Sequence, residues 1–147
     1  MEKIIIYTDG GSRGNPGEGA IGVVFSDERG KVLKTFNQAI GIVTNNDAEY
    51  QALILALKKA KALFGKDKIK NMTVEIRSDS ELLVKQMKGE YKVLEPSMQK
   101  LFLEAWNLKV GLKNIDFIAV PREANKLADR LVNEALDASS ASSGSLF

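Results

Sequence analysis

The sequence predicts an α/β fold, a mixed five-stranded sheet whose first three strands are antiparallel and whose faces are covered by helices. Three observations predict it. Apolar, β-branched runs near the N-terminus are short and separated by glycine-containing turns, as consecutive hairpin strands require. From residue 46 the apolar spacing lengthens to three and four residues, which marks a helix. Beyond it, strand-like and helix-like segments alternate, which puts the later strands in the same sheet through helical crossovers.

Residues 3–8 (KIIIYT) read as a strand buried on both faces and stopped by Asp9-Gly10-Gly11, with SRGNPGEG as loop. Residues 22–26 and 31–38 read as two strands joined by DERG, with Gly30 supplying the permissive backbone. Residues 46–64 carry Leu53, Ala56, Leu57, Ala60, Leu63 and Phe64 at helical steps, and Gly65 closes that helix. Residues 72–77 form the next strand, and Ser78-Asp79-Ser80 caps a short helix through Met87 that stops at Gly89. A turn holding Pro96 leads to a helix over residues 97–110, residues 114–120 form the fifth strand, and Pro121 interrupts it. A last amphipathic helix covers residues 124–138, so residues 1–138 are expected to be a single domain and the Ser-rich residues 139–147 a disordered tail.

Composition narrows the chemistry. The chain has 147 residues, 44% hydrophobic and 27% charged, as an ordinary globular domain does. It contains no Cys, which excludes disulfides, thiolate nucleophiles and sulfur-bound zinc. It contains no His, which removes the commonest general base and the commonest nitrogen ligand. Any metal must therefore be bound through oxygen, which favours Mg²⁺ or Mn²⁺. The formal charge of +2 is too mild to announce a polyanion partner. No apolar run reaches membrane-spanning length, and a cytoplasmic location with no membrane partner is expected.

Four acids fall at expected element ends. Asp9 and Asp79 follow strands directly, where ligand sites of open α/β sheets gather, although a turn Asp and a helix N-cap account for them equally well. Glu49 lies in the first turn of the long helix, where a capping box with Asn46 would explain it. Its spacing to Leu53, Ala56 and Ala60 nevertheless puts it at the head of the apolar stripe, facing the sheet. Asp129 shares a helix side with Asn125, Val132 and Leu136, and an ion pair with Arg122, Lys126 or Arg130 would explain it too. Together, the four make a plausible oxygen cage for hard cations.

The stretches 7–17 (YTDGGSRGNPG), 44–53 (TNNDAEYQAL), 77–87 (RSDSELLVKQM) and 120–136 (VPREANKLADRLVNEAL) resemble type 1 ribonuclease H, most closely its compact archaeal and bacterial form, within the ribonuclease H-like superfamily. The resemblance implies a ribonuclease H-like fold and an endonuclease that hydrolyses the RNA strand of RNA/DNA hybrids, with activity on double-stranded RNA left open. Asp9, Glu49, Asp79 and Asp129 take the family's metal-binding catalytic positions, with Asp9 bridging both ions. Two Mg²⁺ ions, replaceable by Mn²⁺, would act with substrate, one activating water and the other stabilising the leaving 3′ oxygen, to leave 5′-phosphate and 3′-hydroxyl ends. Gly10, Gly11, Asn15, Thr44, Asn45, Asn46 and Glu81 match substrate-contacting positions, and Asn125 a supporting one. A monomer without an obligate protein partner is expected.

The chain departs from the family at three places. Ala119 stands where many relatives carry a His thought to help product departure, with Arg122 or Glu123 as substitutes nearby. The segment MKGEYKVLEP has only Lys88 and Lys92 where some bacterial relatives have a Lys- and Trp-rich protrusion, which implies modest, salt-dependent affinity. No separate hybrid-binding domain is expected. Two rival readings compete with this one. A phosphatase of the haloacid dehalogenase kind needs an acid two residues after the first Asp, where this chain has Gly11. A noncatalytic nucleic-acid-binding member of the same fold has little reason to keep four acids facing phosphates.

Overall fold

The computed structural model describes residues 2–144, and side chains through residue 140. The elements run β1 (Lys3–Gly14), β2 (Gly17–Ser26), β3 (Val32–Val43), α1 (Asn45–Phe64), α2 (Lys66–Lys70), β4 (Thr73–Ser78), α3 (Glu81–Met87), α4 (Pro96–Val110), β5 (Asn114–Ala119) and α5 (Lys126–Gly144). A single 3-10 turn over Arg122–Asn125 leads into α5. The strand order is β3-β2-β1-β4-β5. β1, β2 and β3 pair antiparallel, while β4 and β5 run parallel to β1 and each other, as the sequence predicted.

The alternation of β1 divides the molecule. Ile4 and Ile6 face α1, where Leu53, Leu57, Val74, Ile76 and Met87 complete the main core, and α4 lies against the outer side of α1. The opposite face is covered by α5 through smaller groups, chiefly Ala20, Val24, Ala128, Leu131, Val132 and Ala135. Among the described residues, no helix is long and apolar enough to cross a membrane.

Several boundaries differ from expectation: β2 starts at Gly17 and not at residue 22, inside the stretch read as loop, and β3 runs on to Val43 and not only to residue 38. β1 does not stop at Thr8: it stays paired to β2 from Ile5↔Ser26 to Gly14↔Gly17, so Asp9, Gly10 and Gly11 lie inside the strand. Tertiary pairing overrides the turn propensity of those residues. A short helix, α2, follows Gly65, in a stretch to which the sequence reading assigned no element. The backbone of α5 runs to Gly144, through serines assigned to a disordered tail; the terminal Leu146 and Phe147 lie outside the described residues.

Candidate active site

The site forms where β1 loses one neighbour. β4 pairs with β1 only as far as Thr8↔Ser78, whereas β2 continues to Gly14 on the other edge. Beyond Thr8 the edge of β1 that faced β4 has backbone donors with no strand to accept them. Alternate residues point to the same edge, and there the Gly10 N–H donates to Glu49 Oε1 and the Ser12 N–H to Asn45 Oδ1 at 2.9 Å. Asn45 and Glu49 are four apart on α1 and share a face. The first turns of α1 thus replace β4 as the hydrogen-bonding neighbour of β1, and this brings Glu49 beside Asp9.

Two glycines permit the approach. A Cβ on Gly10 would lie 2.3 Å from the Ala48 carbonyl oxygen, so only glycine lets α1 come this close. Gly22, the β2 partner of Asp9, plays the same part for α5: a Cβ there would lie 2.5 Å from the Ala128 carbonyl oxygen. One glycine therefore positions Glu49 and the other Asp129. Asp79 leaves β4 just before Ser80, whose hydroxyl accepts from the Leu83 N–H and caps α3.

Carboxylate oxygens of Asp9, Glu49 and Asp79 all lie within 4.8 Å of one another. Asp9 and Glu49 are only 7% and 9% exposed, so their charges are poorly hydrated. Burial first, and then the neighbouring carboxylates, push Asp9 up to about 7 and Glu49 well above the usual carboxylate range. The two carboxyls share a hydrogen bond. Burial also raises Asp79, with Asp129 adding to it and Arg122 pulling the other way. Asp129 stands beside this trio with Arg122 at 3.8 Å, one of the three partners that the sequence left open for it. Crowded, half-dehydrated oxygens with raised affinity for protons make a donor set suited to a hard divalent cation.

These acids line an open cleft of about 640 Å³. β1 residues from Asp9 to Arg13 form its floor, the start of α1 one wall and the side of α5 the other. Of the residues singled out from sequence, Gly10, Gly11, Asn45, Asn46 and Arg122 line it with the four acids. Asn125 lies behind: 1% exposed, it donates from Nδ2 to the Thr8 carbonyl at 2.9 Å, where β1 parts from β4. Its Oδ1 is buried without a hydrogen-bond partner, a cost that packing alone does not justify.

Other expected positions fall outside the cleft lining. Thr44 is exposed and is the N-cap of α1, its hydroxyl accepting from the Asp47 N–H, so the Asn46–Glu49 capping box, the alternative explanation of Glu49, is not formed. Asn15 uses its Oδ1 to accept from the Asn45 N–H at 3.0 Å, tying the β1–β2 turn to α1. Glu81 is exposed and paired with Lys85 at 2.8 Å, on a separate hollow that it shares with Ala119. Glu123 is exposed and does not line the cleft. Sequence reading missed Ser12, Arg13, Ser80 and Asn133, all of which line the cleft. Period-two alternation from Asp9 would have found Arg13, had the strand not been ended at Thr8.

A family model described as reverse transcriptase-like matches residues 7–135. Ribonuclease HI of Halobacterium salinarum is 42% identical over 135 residues, covering 92% of this chain and 65% of that protein. Bifunctional protein Rv2228c of Mycobacterium tuberculosis is 42% identical over 141 residues, covering 95% of this chain and 37% of its own length. The chain thus spans about a third to two thirds of these relatives. The crystal structure of LC11-RNase H1 in complex with an RNA/DNA hybrid superimposes with a TM-score of 0.89 at 50% identity, covering 92% of this chain and 98% of that one. On the strength of this fold, these acids and these likenesses, the chain belongs to the type 1 ribonuclease H family, within the reverse transcriptase-like group.

Proposed function

We propose that this protein is an endonuclease that hydrolyses the RNA strand of RNA/DNA hybrids, leaving 5′-phosphate and 3′-hydroxyl ends, and that residues 1–138 act as its single catalytic domain. The observation that carries the proposal is the meeting of Asp9, Glu49 and Asp79 within 4.8 Å on the floor of an open cleft, with Asp129 at its side. The likeness to LC11-RNase H1, a protein captured on an RNA/DNA hybrid, supports the choice of substrate.

Asp9, Glu49, Asp79 and Asp129 would hold two divalent cations in the presence of substrate, Mg²⁺ by preference with Mn²⁺ as substitute. Bound there, such ions supply Lewis-acid activation of water and neutralise charge on the leaving oxygen. The protein's own groups prepare the site. The Gly10 N–H fixes Glu49, and Asn125 fixes the strand end from which Asp9 projects. Asn15 and Asn45 are anchored through their Oδ1 atoms, which leaves their NH₂ groups as donors for the 2′-hydroxyls and sugar oxygens that distinguish RNA. Asn46, Gly10 and Gly11 contact the substrate in the cleft, Thr44 holds a phosphate of the DNA strand, and Glu81 lies near the RNA strand. Arg122 or Glu123 serves product release in place of a His at position 119. The protein acts as a monomer, and double-stranded RNA is a secondary substrate.

The test compares labelled RNA/DNA hybrid, double-stranded RNA and single-stranded RNA, each with Mg²⁺, with Mn²⁺ and with chelator, beside an Asp9→Asn variant. Cleavage of the hybrid's RNA strand is expected only with metal, and only in the unsubstituted protein. Hybrid binding without cleavage would overturn the proposal, as would metal-independent cleavage.

A further inference from the structure

We propose that Arg13 binds a backbone phosphate of the strand being cut, a few nucleotides from the scissile bond, so that the substrate is gripped at the end of the cleft nearest the β1–β2 turn. This rests on the hydrolase reading above and adds a substrate-positioning residue to it.

The argument begins with alternation along β1. Asp9, Gly11 and Arg13 project from the same face of the strand, the face covered by α5. At about 3.3 Å per residue, Arg13 lies on the order of 13 Å from Asp9 along the cleft floor. Gly11 stands between them and is glycine for no internal reason. Its φ is not positive, and a Cβ there would meet only Asn45 Oδ1, at 3.9 Å. With no side chain at that position, the floor is an open trough leading from the acids to the guanidinium.

Charge gives the trough a direction. Its centre is lined by acids that repel a phosphodiester chain, so a polyanion lying there needs cations beyond them. The cleft has an arginine toward each end, Arg122 beside Asp79 and Asp129, and Arg13 at the far end of β1. Arg13 is 46% exposed and paired with Asp137 of α5 at 2.6 Å, and Asp137 is 71% exposed. An ion pair this open to water contributes little to stability. It does hold the guanidinium toward the α5 wall through one N–H, with its other donors available for phosphate oxygens.

The test measures KM and kcat for hybrid cleavage against NaCl concentration, using the full chain and its Arg13→Gln and Arg13→Lys variants, with thermal melts to confirm folding. For Arg13→Gln, KM rises about five- to ten-fold with kcat nearly unchanged. The slope of log(kcat/KM) against log salt falls in magnitude by about 0.9, one released counterion. Arg13→Lys keeps the slope. An unchanged slope and KM in Arg13→Gln, with the unsubstituted protein cleaving normally, overturns the role of Arg13 and leaves the hydrolase reading standing. Failure of the unsubstituted protein to cleave removes both.

Discussion

Asp9 and Glu49 stand close together, largely out of water, and the metal-free fold bears the cost of their charge. A carboxyl that titrates near 4 in the unfolded chain but at about 7 in the fold, as Asp9 does, keeps its proton in the fold after the unfolded chain has lost it. The fold is favoured by this group below pH 4, loses that advantage as pH rises to about 7, and changes no further above it. Asp9→Asn cannot ionise and escapes the loss. Without divalent ions, the variant is therefore expected to match the unsubstituted protein near pH 4 and to exceed it at pH 8 by roughly 1–3 kcal/mol, allowing for redistribution of charge among the neighbouring acids. Denaturant melts in chelator at the two pH values check this, and equal stabilities at pH 8 would contradict it. The same variant is expected to lose cleavage, so stability and activity should move in opposite directions at one residue, as at a strained site.

Among the elements, what was legible in the sequence is what local periodicity encodes. The apolar stripe of α1 reveals both the helix and the inward direction of Glu49, and the face shared by Asn125, Asp129 and Val132 survives in the α5 region. The course of β1 was not legible, because pairing with β2 carries it through a glycine-rich segment that reads locally as a turn. Nor was Gly22, which is glycine because of a helix more than a hundred residues later in the chain. Gly22→Ala pushes a Cβ against the backbone of α5 and must displace the turn that carries Asp129. It is expected to cost about 1–3 kcal/mol and to lower kcat by up to about a hundredfold. Gly11→Ala brings a Cβ only into ordinary contact with Asn45 Oδ1, at 3.9 Å, and is expected to stay within about 0.5 kcal/mol of the unsubstituted protein. Urea melts and single-turnover rates on hybrid compare the two. Comparable destabilisation by both would mean that close approach of α5 is not what fixes glycine at position 22.

At the scale of the whole molecule, the two sheet faces are unequal, and the site depends on both. The α1 face buries large aliphatic side chains in one continuous core, whereas α5 covers its face through alanines, valines and leucines in two smaller clusters. Stabilisation scales with the apolar area removed from water, so α5 is held less firmly than α1. Among the described residues, its polar ties to the sheet include the Asn37 amide on the Leu131 carbonyl at 2.9 Å and the ion pair of Asp137 with Arg13, with Asn125, just before the helix, on the Thr8 carbonyl at 2.9 Å. Asp129, the acid outside the tight trio, rides on this weaker element. Native-state hydrogen exchange is therefore expected to show α5 opening at a free energy lower than that of α1 and β4 by about 2 kcal/mol or more, as a sub-global unit. A ligand that engages Asp129 together with the acids of β1 and β4 binds only when α5 is docked, so Mg²⁺ together with a hybrid held by an uncleavable analogue should slow exchange in α5 more than in α1. Uniform protection across the two faces, with or without ligand, would show that the molecule opens as one unit and that completing the acid cluster requires no docking of α5.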